Sequence, residues 1–295
     1  MTLRTYDILG EPKDIGPVLK ILKKYRRFEY NPSSPDFVIP VGGDGTTLTK
    51  PIKEKLYKIP VLFIHNREGT TDSLGFSMDV YKENLDLAME DMERGAYFPQ
   101  EEKLLDCIIN DKIRDTAIND VVIGSIYRSS GLRFKAAVDT QNPIKKLRYI
   151  PLPRPIITHF IVSRNRGSTA WSYSAGGPID IDRIDQLHIT YESSTIKQAI
   201  FNCNPNDRIL VKALRDSVVI VDAGLYEVKT GSRITILGSD KTMTVIRTIN
   251  TLEPLREKLV RQNLFNIADD PKPSRKVLEK LMRALFKESG SEEWW

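Results

Sequence analysis

A short apolar run, Phe37-Val38-Ile39, leads into Val41-Gly42-Gly43-Asp44-Gly45-Thr46-Thr47, and this junction constrains the fold more than any other stretch of the chain. The apolar run reads as a buried strand. Gly42, Gly43 and Gly45 give the following loop a backbone that can take positive φ and lie close to an anion. Pro51 holds the next helix to a short one at about 51–57, because proline is tolerated in the first helical turn. Strand and helix alternate on both sides. Residues 12–27 carry Ile15, Val18, Leu19 and Leu22 on one helical stripe, Val61-Leu62-Phe63-Ile64 reads as a second buried strand, and 79–94 place Leu85, Leu87, Ala88 and Met92 on a further helix. Residues 1–98 are therefore expected to form a small open α/β, Rossmann-like sheet.

The loop also carries chemistry. Glycine N–H groups can cradle phosphate oxygens. Asp44 stands among them, and a carboxylate beside phosphates is electrostatically wrong for binding alone. It makes sense if Asp44 accepts a proton from a hydroxyl or helps to hold a metal ion. Both point to phosphoryl transfer onto a hydroxyl, a step in which a positioned base contributes about two to four powers of ten in rate. A tight strand-to-helix turn is the plain structural alternative.

Beyond Pro99 the character changes. Leu104 to Ile109 is followed by the turn signal Asn110-Asp111-Lys112, and strand candidates recur at 117–123, 132–136, 157–162, 187–192, 208–214, 218–222, 225–229, 233–237 and 242–248. Short strands at such spacing predict a β-rich second domain over 99–250. A helix at about 251–265 is a candidate to pack back on the first domain. A tail, 266–295, follows, with Ser274 as an N-cap for a helix at about 275–287.

Composition excludes several classes. No apolar run approaches the ~20 residues needed to span a bilayer, and the first residues lack the apolar core of a signal peptide. Cys107 and Cys203, far apart, make neither a disulfide framework nor a zinc site, and His65, His159 and His188 share no spacing. A cytoplasmic protein with no membrane partner is expected. The net charge of +5 is spread along the chain and lacks the aromatic interleaving of a nucleic-acid surface. It suits small anionic substrates such as nucleotides.

A second small-residue segment, Arg166-Gly167-Ser168-Thr169-Ala170-Trp171-Ser172-Tyr173-Ser174-Ala175-Gly176-Gly177-Pro178, follows the strand at 157–162. Its hydroxyls and bare backbone suit a flat ring; a close-packed turn and helix is the plain alternative. Taken with the first loop, it resembles the NAD kinase family. Gly42-Gly43-Asp44-Gly45-Thr46 matches the family's first signature, and Gly167 to Ala170 running into Ser174 to Pro178 matches its second. Asn119-Asp120-Val121-Val122, the stretch Asn66 to Gly69, Leu74-Gly75-Phe76 and Val221-Asp222-Ala223 occupy the places of further family elements, in order, over about 36–260.

The resemblance implies an α/β domain and a β-rich domain with the active site between them. It implies transfer of a phosphoryl group from ATP, or inorganic polyphosphate, to the adenosine 2′-hydroxyl of NAD. It further implies Mg²⁺ or another divalent metal, and a homodimer or homotetramer. By the same resemblance Asp44 is the general base, and Gly42, Gly43, Gly45, Thr46 and Asn66 bind phosphate and nucleotide. Asn119 and Asp120 hold nucleoside hydroxyls and base. Gly167, Ser168, Thr169, Ala170, Trp171 and Ser174 line the adenine pocket, and Asp222 lies near the acceptor nucleoside. The departures cluster on the acceptor side. Arg164-Asn165-Arg166 replaces Thr-Pro-Thr, Thr158-His159 replaces Asp-Gly, Asp120 replaces Glu and Trp171 replaces Tyr. Arg164 and Arg166 are candidate anion contacts, with a solvated rim as the alternative. A kinase of another hydroxylated acceptor and a nucleotide-binding paralogue without catalysis are the competing readings.

Overall fold

The computed structural model describes residues 3–43, 48–65, 80–126, 131–140, 148–178, 185–192 and 200–249. The expected helices at 251–265 and 275–287 lie outside these residues.

The first sheet is parallel and five-stranded, in the order β2-β1-β3-β4-β5. Its strands are β1 (Thr5–Gly10), β2 (Glu29–Tyr30), β3 (Phe37–Val41), β4 (Ile64–His65) and β5 (Val80–Tyr81). β3 is buried along its whole length, as a central strand covered on both faces must be. β1 pairs with it from Tyr6↔Phe37 to Gly10↔Val41. The apolar pattern misses β1 because Asp7 interrupts it. Asp7 is buried, and its charge is matched by Lys55 at 3.1 Å.

The helices are α1 (Pro12–Leu22), α2 (Lys50–Leu56) and α3 (Leu85–Arg94). α1 stops short of the expected residue 27. After Leu22 the backbone bonds tighten from four-residue to three-residue spacing, and the Tyr25 hydroxyl then donates to Asp86 at 2.9 Å. α3 starts later than expected because Val80 and Tyr81 extend the sheet beside Ile64 and His65 before the chain turns helical.

The rest of the chain forms two antiparallel six-stranded sheets. One runs β10-β9-β14-β17-β6-β7: β6 (Tyr97–Ile109), β7 (Ile113–Ala117), β9 (Phe134–Asp139), β10 (Tyr149–Pro151), β14 (Arg208–Ala213) and β17 (Arg233–Thr248). The other runs β13-β12-β11-β8-β15-β16: β8 (Asp120–Ser125), β11 (His159–Ser163), β12 (Leu187–Glu192), β13 (Ile200–Cys203), β15 (Ser217–Val221) and β16 (Gly224–Val228). Their inner faces share one core, built by period-two alternation. Val121 and Ile123 of β8 point into it, while Val122 faces the opposite way with Ile161 and Ala175.

Two expectations are corrected here. The single strand at 117–123 is broken at Ile118-Asn119, where the chain passes from one sheet to the other. The strands at 233–237 and 242–248 are one strand, β17, with an irregular register between Gly238 and Thr242. The three-residue turn Asn110-Asp111-Lys112 takes positive φ at its first two residues and is closed by the Lys112 N–H on the Ile109 carbonyl at 3.1 Å.

A third core lies where the parallel sheet meets the hairpin of β6 and β17, and it includes Val38, Leu56, Val61, Phe63, Leu104, Ile118, Met243 and Val245. Val61 pairs with Val38 on one side and Val245 on the other, so the parallel sheet continues into the antiparallel one. Among the described residues no helix is long and apolar enough to cross a membrane.

Candidate active site

The site begins at the end of β3. Gly42 has φ 132°, a conformation that excludes L side chains, and its N–H donates to the Ile64 carbonyl at 3.0 Å. A Cβ on Gly43 would meet nothing within 4 Å, so the backbone there faces open space. Asp44, Gly45, Thr46 and Asn66 lie outside the described residues. Beyond them α2 starts at Lys50, and from it Lys53 reaches inward to only 1% exposure.

The second part is the passage from β7 to β8. Asn119 and Asp120 are buried at 3% and 5% exposure. The N–H groups of Ile118 and Asn119 each donate to one oxygen of the Asp222 carboxylate, both at 2.8 Å. Asp222 occupies the two-residue turn between β15 and β16 with φ 52°, which an aspartate tolerates better than most side chains. Its own N–H returns to the Asp120 carbonyl at 3.2 Å. The Asp222 side chain is fully buried. Burial pushes its carboxyl pKa up, while Lys53 and the two backbone donors pull it back down. The geometry therefore gives Asp222 the work of holding the Asn119 turn. Both oxygens of Asp222 accept backbone donors from the residues just before Asp120, which sets it beside the Asn119–Asp120 turn.

The second signature lies on the outer face of the second antiparallel sheet. It folds as a 3-10 turn, Asn165–Thr169, followed by a single helical turn, α4 (Trp171–Ser174). Gly167 sits against the Asn119 backbone so closely that a Cβ there would lie 1.7 Å from the Asn119 carbonyl oxygen. Asp120 accepts the Trp171 N–H at 3.2 Å. The two segments that the sequence singles out, 119–120 and 167–174, are thus in direct contact. Ser168 is buried, Ala170 and Trp171 are half-buried, Ser174 is exposed, and Thr169 contributes backbone to the 3-10 turn. The Ser172 hydroxyl lies 3.0 Å from that of Thr190, and Gly177 packs on both.

Neither arginine lies on a solvated rim. Arg164, 5% exposed, spends its fork on Asp185 with two bonds of 2.7 Å and donates to the Leu104 carbonyl at 3.0 Å. Arg164 therefore ties Asp185 to the backbone of β6 inside the protein. Arg166 is also buried, with its guanidinium 4.5 Å over the Phe63 ring.

Sequence reasoning missed two constellations. Lys53 stands among Asp115, Thr116 and Asp222. His159, in the strand before the second signature, meets Glu192 at 2.6 Å and packs edge-on against Trp171 at 5.0 Å. The only sequence signal for the second was that both His159 and Trp171 depart from the family pattern.

No three His, Cys, Asp or Glu side chains cluster at metal-binding distance among the described residues. Mg²⁺ in phosphoryl transfer asks for less, commonly one or two carboxylates with the rest of its shell from water and substrate phosphates.

No family model matches the chain. The chain is 29% identical over 219 residues to an NAD kinase of Clostridium botulinum (strain ATCC 19397 / Type A), covering 72% of this chain and 73% of that protein. It is 27% identical over 242 residues to an NAD kinase of Bacteroides fragilis, covering 79% of each. Its fold matches the crystal structure of an NAD kinase from Archaeoglobus fulgidus in complex with ATP, with a TM-score of 0.65, 19% identity and coverage of 87% and 98%. It also matches yeast NADH kinase complexed with NADH, with a TM-score of 0.71, 14% identity and coverage of 92% and 91%. With its two glycine-rich segments in the same order, the chain is thus similar to NAD kinases over about three quarters of its length, and it shares the fold of solved NAD and NADH kinases.

Proposed function

We propose that the chain transfers the γ-phosphoryl group of ATP to the adenosine 2′-hydroxyl of NAD, giving NADP and ADP. The observation that supports this reading best is the direct packing of the second signature on the Asn119–Asp120 turn, through Gly167 and through the Trp171 N–H. Relatives named NAD kinase add to it.

In this reading the acceptor lies along the 119–120 and 167–174 segments. The donor's phosphates lie on the backbone of Gly42, Gly43 and Gly45. Asp44 takes the proton of the attacking hydroxyl as the new O–P bond forms, and the bond from the γ-phosphorus to its bridging oxygen breaks, so that ADP departs with that electron pair. A divalent metal carried on the triphosphate supplies charge neutralisation. The protein's part is position and proton acceptance. The same reading assigns residues 1–98 and 99–250 to two domains, and a cytoplasmic homodimer or homotetramer as the working form.

The test is NADP production by the purified chain with Mg-ATP and NAD. Asp44→Asn keeps the shape of the side chain and removes the proton acceptor. It is expected to lower kcat about 10²-fold or more with KM values little changed. Near-normal turnover by a folded Asp44→Asn protein would overturn the role. Parallel reactions with polyphosphate as donor, and with NADH, nucleosides and polyols as acceptors, separate this reading from a kinase of another hydroxyl. NAD binding without turnover would mark a non-catalytic paralogue.

A further inference from the structure

Lys53 is the most deeply buried amine in the described residues, with 2% of its side chain exposed. An ammonium has three N–H donors. Three acceptors surround it: the Thr116 carbonyl at 2.9 Å, Asp115 at 3.4 Å and Asp222 at 3.4 Å. Asp115 is itself held by the Tyr226 hydroxyl at 2.8 Å. Thr116 takes a second donor on its carbonyl, the Tyr57 hydroxyl at 2.9 Å. Its own hydroxyl donates to Asp106 at 2.8 Å and accepts from Lys241 at 3.1 Å.

This network spans two parts of the fold. Lys53 belongs to α2, which belongs to the parallel sheet and follows the first glycine signature. Asp115, Thr116 and Asp222 belong to the antiparallel sheets. Asp222 hands the connection on, because its carboxylate accepts from Ile118 and Asn119 and its N–H donates to Asp120. Asp120 and Asn119 then meet the second signature through Trp171 and Gly167. One continuous path of charged and backbone hydrogen bonds runs from α2 to the Asn119–Asp120 turn.

We infer that Lys53 and Asp222 are positioning residues for the acceptor: an internal ion pair that fixes the Asn119–Asp120 turn relative to α2. The inference rests on the proposed reaction. A buried pair of this kind contributes little net stability beside an apolar replacement, yet removal of one partner leaves the other charge uncompensated. Its value is in geometry, since each oxygen of Asp222 specifies the direction of one N–H. Without Lys53 the Asp222 carboxylate would be drawn toward protonation or water, and the Ile118 and Asn119 amides would lose their fixed acceptor.

The experiment compares Lys53→Met, Lys53→Arg and Tyr57→Phe. Tyr57→Phe removes a hydroxyl bonded to the same Thr116 carbonyl and leaves Lys53 and Asp222 in place, so it reports purely structural loss. Lys53→Met is expected to raise the KM for NAD about tenfold or more while the KM for ATP stays within about twofold. Lys53→Arg keeps the charge without the three-way geometry and is expected to fall between Lys53→Met and the unaltered chain. Tyr57→Phe is expected to lower the melting temperature with the KM for NAD unchanged. Amide hydrogen exchange at Ile118 and Asn119 is read alongside and requires no turnover; it should accelerate at least about tenfold in Lys53→Met and little in Tyr57→Phe. Unchanged exchange at these amides in Lys53→Met overturns the inference whatever the chain phosphorylates. Faster exchange with an unchanged KM for NAD overturns the positioning role. If Lys53→Met does not fold, Lys53→Arg decides, with the same two readouts. An unaltered chain that makes no NADP refutes the proposed reaction alone, and the exchange data still decide whether the ion pair holds the turn.

Discussion

Gly167 shows how narrowly one residue can be specified. A methyl group there would fall 1.7 Å from the Asn119 carbonyl oxygen, with the Asn119 carbonyl carbon at 2.4 Å. The obstacle is backbone on a strand junction, so it cannot rotate away. Gly167→Ala is expected to lower unfolding stability by about 1–3 kcal/mol through overpacking, measured as a shift of the urea midpoint. A fully stable Gly167→Ala protein would mean that the two segments part easily. At this scale the sequence is legible wherever the backbone demands a glycine, and it is silent on partners. Arg164 and Arg166 look like two free cations in the sequence because Asp185, Leu104 and Phe63 are far from them along the chain. Lys53 is hidden for the opposite reason. It lies between Lys50 and Lys55 on a short helix, where a lysine normally reads as solvated.

At the level of elements, the unbroken apolar run of β3 and the alternation of β12 and β14 are read correctly, because burial dictates both the pattern and the structure, whereas the strand expected at 61–64 is reduced to Ile64–His65 with a bridge at Val61. The losses come where tertiary pairing decides. β1 carries a buried Asp7, and β2 and β5 are two-residue strands that exist only through their neighbours. Asp36 shows how such a marginal edge is fastened. Its carboxylate accepts the N–H groups of Thr5 at 2.8 Å and Arg4 at 2.9 Å, tying the start of β1 to the residue before β3. The Thr5 N–H is the main cause that holds the Asp36 pKa below the ordinary aspartate value. A depressed carboxyl stabilises the fold above its unfolded pKa, and the contribution is lost as the pH falls through the folded value. Asp36→Asn is therefore expected to be less stable than the unaltered chain at neutral pH. The gap should close below about pH 4, as the aspartate is protonated. Thermal melts across a pH series test this, and a gap that widens toward acid would contradict it.

For the whole molecule, the mixed α/β architecture and the β-rich second half follow from the alternation of patterns, whereas the way the halves join does not. The junction core draws Val38 and Val61 from one side, Leu104, Met243 and Val245 from the other. No local period links residues so distant in sequence. Met243 is fully buried there. Met243→Ala is expected to cost about 2–5 kcal/mol, and because the core is shared, the parallel sheet and the antiparallel sheets should lose protection together. Hydrogen exchange at β3 and β14 measures both. Loss confined to β14 would show that the two parts unfold separately.

The placement of Val61 between Val38 and Val245 has a consequence for synthesis. The N–H of Val61 donates to Thr244, and its carbonyl accepts from Ile246. When the strands of the parallel sheet have all left the ribosome, this side of Val61 still has no backbone partner. Its ladder groups, with apolar Val38 and Phe63 beside them, form an open sheet edge until the far end of the chain arrives. Molecules cut short before residue 244 should therefore associate through that edge more readily than the full chain, which light scattering of the two would compare.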